Sequence, residues 1–205
     1  MDASALLIVD LDGPLLDVAP RYWAAHLEAL AATGAAPLVA DEVAFWTAKR
    51  RSAPVAGPGE AYLAAFKAVI ERDDLLQLDR VQPGALAALA ALAARGPTVV
   101  LSMRSNVAGA RRTVERLGIA ALAPVHFVVH HHEGKVPRAR ELAAAAGGAV
   151  AAVIGDTEAD AAVATALAVP FWAVSCGIRE EARLRGLGAA RVEASLAAYA
   201  TEAAC

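Results

Sequence analysis

Ala5-Leu6-Leu7-Ile8-Val9-Asp10-Leu11-Asp12-Gly13 is a short apolar run that stops on two carboxylates and a glycine. An uninterrupted apolar segment containing Ile and Val, ended by polar and turn residues, predicts a buried strand. Asp10 and Asp12 are two residues apart, so on an extended chain both project to the same side. Gly13 then lets the backbone turn sharply and approach a ligand closely.

Working outward, helical patterns occupy residues 21–32 and 41–51. Pro54, Gly57, Pro58 and Gly59 interrupt them, and a helical pattern resumes over 60–72. From Pro83 the pattern changes to alternation. A helix over 83–94, with proline in its first turn and Gly96 as its stop, is followed by a strand at 98–103 and a helix at 107–117 that ends at Gly118. Strands at 127–130, 150–154 and 171–175 alternate with helices at 137–146, 158–167 and 179–187. An edge strand at 191–193 and a helix at 196–202 finish the chain. Such alternation implies an α/β fold, a doubly wound parallel sheet of Rossmann-like type with helices on both faces. The first strand is separated from the others by a helical block. We therefore expect a core of residues 1–14 and 80–205, with residues 15–79 inserted after strand one as an all-helical cap.

The chain has 205 residues, of which 58% are hydrophobic and 20% charged, with a net charge of −3. Its mean hydropathy is +0.45. That balance excludes a disordered chain and supplies ample core material. No general basic field draws nucleic acid, so an anionic substrate must be held by local cations. The weakly polar stretch 143–155 is too short to span a bilayer and contains Gly147-Gly148. Residues 1–4 lack the basic start of a secretory signal. A cytoplasmic protein with no membrane partner is expected, its two cysteines, Cys176 and Cys205, reduced.

In an open parallel sheet, ligands bind beyond the carboxyl ends of the strands. Asp10, Asp12, Ser102 and Asp156 fall at predicted strand ends, and Lys135 just precedes a predicted helix. Carboxylates converging on one point repel each other unless a hard cation joins them. Magnesium, which takes one or two carboxylates together with phosphate oxygens and water, meets that need. Lys135 and the Ser102 hydroxyl suit the remaining phosphate oxygens.

The segments Asp10-Leu11-Asp12-Gly13, Ser102, Lys135 and Gly155-Asp156-Thr157-Glu158-Ala159-Asp160 stand in the order of the four motifs of the haloacid dehalogenase-like (HAD) superfamily, which the chain resembles from Leu6 to Gly177. The helical insertion resembles a C1-type cap, as in the phosphoglycolate phosphatase-like subfamily. Pro14 stands where a threonine usually follows, a departure that touches the turn rather than a catalytic group. The resemblance implies that Asp10 attacks phosphorus to form an aspartyl-phosphate. Asp12 then protonates the leaving oxygen and afterwards deprotonates the hydrolytic water. It further implies Mg2+ held by Asp10, the backbone carbonyl of Asp12, and Asp156, with Asp160 supporting the metal's waters or Lys135 from behind.

Other residues carry less. Lys49 and Arg50, at the end of a cap helix, have the charge to reach a substrate's second anion, or simply sit where a helix C-terminus favours cations. Arg104 and Asn106, just past Ser102, are pocket candidates. Tyr22, Trp23, Phe45 and Trp46 read as cap core. His130-His131-His132 point alternately if extended, so they read as a solvated loop rather than a metal site. The expected function is hydrolysis of a small soluble phosphate monoester by a monomer or homodimer. A phosphomutase of the same superfamily is the enzymatic alternative. A phospho-accepting or binding module is the non-enzymatic one, although receiver domains carry no helical insertion after strand one. A dehalogenase would not need an acid/base at Asp12.

Overall fold

Strand β1 (Leu6–Val9) forms as expected, and its side chains divide between two cores: Leu7 and Val9 enter one, Leu6 and Ile8 the other. A strand buried on both faces belongs at the centre of a parallel sheet. The computed structural model, which describes residues 5–57, 59–129 and 134–202, places it there. Along the chain follow β2 (Leu16–Asp17), α1 (Ala19–Thr33), α2 (Glu42–Arg50), α3 (Glu60–Val69), α4 (Asp73–Leu76), β3 (Arg80–Val81), α5 (Ala85–Ala93), β4 (Thr98–Met103) and α6 (Val107–Arg116). The chain continues through β5 (Val125–Val128), α7 (Val136–Ala145), β6 (Val150–Gly155), α8 (Glu158–Leu167), β7 (Phe171–Val174), α9 (Glu181–Gly186), β8 (Arg191–Glu193) and α10 (Leu196–Glu202).

Six strands form one sheet in the order β5-β4-β1-β6-β7-β8, and all neighbouring pairs are parallel. Helices α5, α6 and α10 cover one face through Leu89, Leu92, Val114 and Tyr199. Helices α7, α8 and α9 cover the other through Ala139, Val163, Ala164 and Leu184. The chain first winds from β1 towards β4 and β5, then crosses to β6, β7 and β8. The winding therefore reverses between β1 and β6, which leaves a crevice at their carboxyl ends.

Between β1 and β4 the chain builds a third core around Ala29, Phe45, Val55, Ala56 and Tyr62, with Trp23 packed against it. His26 is buried there, and its Nδ1 lies 2.8 Å from the Tyr62 hydroxyl. Asp41 starts α2 by accepting the Ala44 N–H at 2.8 Å. Gly34, at φ 66°, closes α1 in the left-handed conformation that glycine adopts readily.

The structure departs from the sequence reading in several places. The insertion is not purely helical, because β2 and β3 pair antiparallel at its base, Leu16 opposite Val81 and Asp17 opposite Arg80. The helix expected over 60–72 stops at Val69, and α4 follows as a separate turn. Pro83 lies ahead of α5 rather than inside it, in the turn closed by the Ala85 N–H to the Gln82 carbonyl. The strand expected at 127–130 runs instead from Val125 to Val128, because pairing with Val100–Met103 of β4 sets its register. His130–His132 and Cys205 lie outside the described residues. Among the described residues, no helix is long and apolar enough to cross a membrane.

Candidate active site

Asp10 follows β1 and Asp156 follows β6, the two strands that flank the crevice. The backbone ties them together: the Asp10 N–H donates to the Ile154 carbonyl at 2.8 Å. Lys135, which caps α7, reaches between Asp10 and Asp160, with Nζ 2.7 Å from Asp10 Oδ1 and 2.8 Å from Asp160 Oδ1. Asp160 Oδ2 accepts from the Thr157 hydroxyl at 2.7 Å and from the Thr157 and Asp156 N–H groups at 3.1 and 3.2 Å. Asp160 thus fixes the start of α8 with one oxygen and the lysine with the other. Asp156 is fully buried beneath two glycines. Gly13, at φ +93°, and Gly177 both approach so closely that a Cβ on either would overlap its carboxylate. One Asp156 oxygen accepts the Ile178 N–H; the other, Oδ1, is buried without a hydrogen-bond partner.

Asp10, Asp156 and Asp160 bring carboxylate oxygens within 4.8 Å of one another. Lys135 is the one cation in direct contact with this group among the described residues. Burial lowers the Lys135 ammonium's proton affinity, but Asp10 and Asp160 outweigh that and raise it. Burial and then the charge of Asp160 push Asp10 up to about 7, in spite of Lys135. The two shifts are compatible, because one ammonium gains from two carboxylates while each carboxylate has only a share of it. Asp156 is driven well above the usual carboxylate range, by burial first and by Asp10 and Asp160 next. Excess buried negative charge around an unpaired carboxylate oxygen fits a hard divalent cation. Asp10 and Asp156, with the neighbouring backbone, are the residues suited to hold it.

Asp12 pairs instead with two arginines. Its Oδ2 lies 2.8 Å from Arg21 Nη2, and its Oδ1 accepts from Arg104 Nη2. Burial alone would raise the Asp12 carboxyl, yet Arg104 and Arg21 hold it below its ordinary value. Both arginines are 1% exposed. Arg21 also binds Asp79 Oδ1 through Nε at 2.8 Å. Burial, working against Arg21, pushes Asp79 up to about 6. Arg104 Nε is buried without a partner.

A cleft of about 250 Å³ opens over these groups, lined by Asp10, Asp12, Arg21, Ser102, Arg104 and Lys135 from below. Tyr22, Phe66, Lys67 and Glu71 close it from the insertion. The sequence-derived set is therefore brought together at Asp10, Asp12, Ser102, Arg104, Lys135, Asp156 and Asp160. Three candidates lie elsewhere. Asn106 caps α6 through the Gly109 N–H, and its amide donates to the Glu71 carbonyl and Asp73. Arg50 donates from Nη2 to the Ser175 carbonyl at 2.5 Å. Lys49 lies over the Tyr22 and Phe66 rings and lines a separate cavity of about 360 Å³ with Tyr62 and Arg179. Of the four aromatic residues expected in the cap core, Tyr22 also walls the cleft. Arg21, Asp79, Lys67 and Glu71 escaped the sequence reading. Arg21 directly follows Pro20 in the first turn of α1, and only that proximity to the Asp10–Asp12 turn hinted at it.

A doubly wound α/β enzyme with buried carboxylates at its winding reversal is the class that fold and site define. Comparison with known proteins narrows it. The phosphoglycolate phosphatase of Cereibacter sphaeroides is 30% identical over 188 residues, which cover 84% of this chain and 86% of that protein. Among solved structures, a haloacid dehalogenase-like hydrolase from Streptococcus pneumoniae matches with a TM-score of 0.76 at 17% identity, covering 97% of this chain and 98% of its own. A HAD family hydrolase from Deinococcus radiodurans, solved with bound phosphate and sodium, matches at 0.63 and 21% identity, over 97% and 94% of the two chains. No family model matches. The chain belongs to the haloacid dehalogenase-like superfamily of hydrolases, as a phosphoglycolate phosphatase-like member.

Proposed function

We propose that the chain is a Mg2+-dependent phosphatase acting on a small, soluble phosphate monoester through an aspartyl-phosphate on Asp10. The supporting observation is the cluster of Asp10, Asp156 and Asp160 around Lys135, with the Asp156 Oδ1 oxygen buried and unpaired. When bound, magnesium supplies positive charge that offsets the carboxylates and the phosphoryl oxygens.

In this reading Asp10 and Asp156 hold the cation together with the Asp12 carbonyl, and Lys135 and Ser102 hold phosphate oxygens. Asp10 Oδ1 is engaged by Lys135 and by the Leu11 N–H at 2.6 Å, so Oδ2 is the oxygen free of described donors. Its lone pair forms the new O–P bond as the bond to the leaving oxygen breaks, and that oxygen takes a proton from Asp12. Water then attacks the same phosphorus and gives a proton to Asp12, and inorganic phosphate leaves with the Asp10 carboxylate restored. Arg104 and Arg21 hold Asp12 as a carboxylate, the form that accepts a proton. The donor step therefore requires an arriving anion to draw Arg104 away from it.

The insertion between β1 and β4 acts as a cap over residues 1–14 and 80–205; its Lys67 lines the cleft on the side of the leaving group, while the Glu71 carboxylate accepts the Ser105 and Asn106 N–H groups at 2.7 Å. The relative's name points to phosphoglycolate as the first substrate to try, with sugar phosphates beside it. The test is phosphate release from a panel of phosphorylated metabolites with Mg2+ or excess chelator. Wild type should turn over at least one compound with Mg2+ alone. Asp10→Asn should fall below about 1% of that rate, because the uncatalysed reaction is among the slowest known. Activity in chelator, or in Asp10→Asn, refutes the reading.

A further inference from the structure

The loop that orients Asp156 is also the loop gripped by the insertion. Ile178 gives its N–H to Asp156 Oδ2, and Gly177 lies against the same carboxylate. On either side of these residues the last turn of α2 takes hold. Arg50 Nη2 donates to the Ser175 carbonyl at 2.5 Å, and the Glu180 N–H donates to the Arg50 carbonyl at 3.2 Å. Arg179 joins three elements. Its Nη1 donates to the Lys49 carbonyl at 3.2 Å, and its Nε reaches both oxygens of Glu158, the first residue of α8, at 3.0 Å.

The carbonyls of Lys49 and Arg50 belong to the last turn of a helix, where intrahelical donors run out; the Ser52 N–H still reaches that of Lys49 at 3.0 Å, while that of Arg50 takes the Glu180 N–H from the core. Arg179 adds a second donor to the Lys49 carbonyl, and the Glu180 N–H satisfies the Arg50 carbonyl, only while the insertion sits on the core. When it lifts, the Arg50 carbonyl turns to water, and the segment around Ile178 loses its holds on one side. The donor that aims Asp156 then drifts with it.

We propose that Arg179 is a positioning residue that couples docking of the insertion to the orientation of Asp156, so that the chain binds its divalent cation more tightly with the insertion closed. This inference rests on the reading of Asp156 as a cation ligand. Coupling of this kind is reciprocal: the cation must favour the docked insertion by the same factor by which docking favours the cation.

Mn2+ serves as the probe, with free ion counted by electron paramagnetic resonance in titrations of the full chain. Asp156→Asn should lose binding. Arg179→Ala should bind about 10-fold more weakly, the lower end of what outer partners of metal ligands contribute. Arg183→Ala should bind as wild type does, because it removes a guanidinium from Glu158 without touching α2. Mn2+ should also slow tryptic cleavage after the exposed Arg51 in wild type but not in Arg179→Ala. Should the alanine variant not fold, Arg179→Lys, which keeps a cation beside Glu158 but has no fork to bridge to α2, carries the same expectation. Wild-type affinity in the Arg179 variants while Asp156→Asn fails to bind overturns the coupling alone. An equal loss in Arg183→Ala overturns it too, by placing the effect at Glu158. Wild-type protein that binds no Mn2+ overturns the cation reading, and the coupling with it.

Discussion

Replacing Arg21 by alanine tests how the insertion is tied to the catalytic turn. The guanidinium is 1% exposed and bridges Asp79 and Asp12 at 2.8 Å each. Asp79, just before β3, has a fully buried side chain. Removing one member of a buried ion pair leaves the other uncompensated, at a cost of about 3–5 kcal/mol. In a chain of this size each kcal/mol lowers Tm by about 2–4 °C, so Arg21→Ala should melt about 6–20 °C below wild type. Circular dichroism melts at about pH 8 read this directly, where the Asp79 carboxylate is ionised. Burial already holds Asp79 at about 6, above its unfolded value of 3.8. A carboxyl raised in this way supports the fold at low pH and withdraws that support as pH rises through its folded value. Without Arg21 the value rises further, so the deficit should narrow as pH falls from about 8 to about 6 and the buried charge takes a proton. Asp79→Asn placed in the Arg21→Ala background should recover part of the lost Tm at the higher pH. A melt within about 2 °C of wild type, or a deficit that ignores pH, refutes the account of Arg21 as a buried tie.

Two further outcomes follow from the site. Burial foremost, and Asp160 next, hold Asp10 at about 7 against 3.8, so without metal its charge weakens the fold as pH rises through 7. In excess chelator, Asp10→Asn should therefore melt above wild type at about pH 8 and converge with it near pH 5; a lower Tm at the higher pH contradicts this. Arg50→Ala breaks the bond to the Ser175 carbonyl rather than a substrate contact. It should accordingly lower kcat/KM about equally, by ~10-fold, for the metabolite found in the panel and for p-nitrophenyl phosphate; loss confined to the metabolite would restore Arg50 to substrate binding.

What could be read from sequence follows the range of the forces involved. β4, α8, β8 and α10 start and stop where local pattern places them, because apolar runs, turn residues and the Thr157–Asp160 start signal act within a few residues. β5 was displaced by two residues because its apolar end, Val128 with the exposed Val129, looks like strand, while pairing with β4 fixes the register. The two-residue strands β2 and β3 have no periodicity to detect. Asp10, Asp12, Ser102 and Asp156 were legible because strand ends mark their place, and Lys135 because a helix start marks its own. Arg21 and Asp79 were not, since their partnership spans 58 residues. Lys67 and Glu71 look like solvated helix residues until the insertion folds over the crevice. Arg50 carries charge suited to a ligand, and in the structure its Nη2 meets the Ser175 carbonyl.

The small β2–β3 pair has a consequence for how such a chain can change. Leu16 faces Val81 and Asp17 faces Arg80, so the segment between them departs and returns through one narrow gate. Its two ends are separated by only the width of neighbouring strands, about 5 Å. The order of the main sheet owes nothing to what hangs from that gate. Insertions of different length and shape can thus be exchanged there while the strands carrying Asp10 and Asp156 keep their places, and selection for a new leaving group can proceed almost entirely within residues 18–79. Arg21 sets the limit on that freedom. A replacement that keeps Asp79 must bring a counter-charge for it, because Asp12 retains Arg104 whereas Asp79 pairs with Arg21.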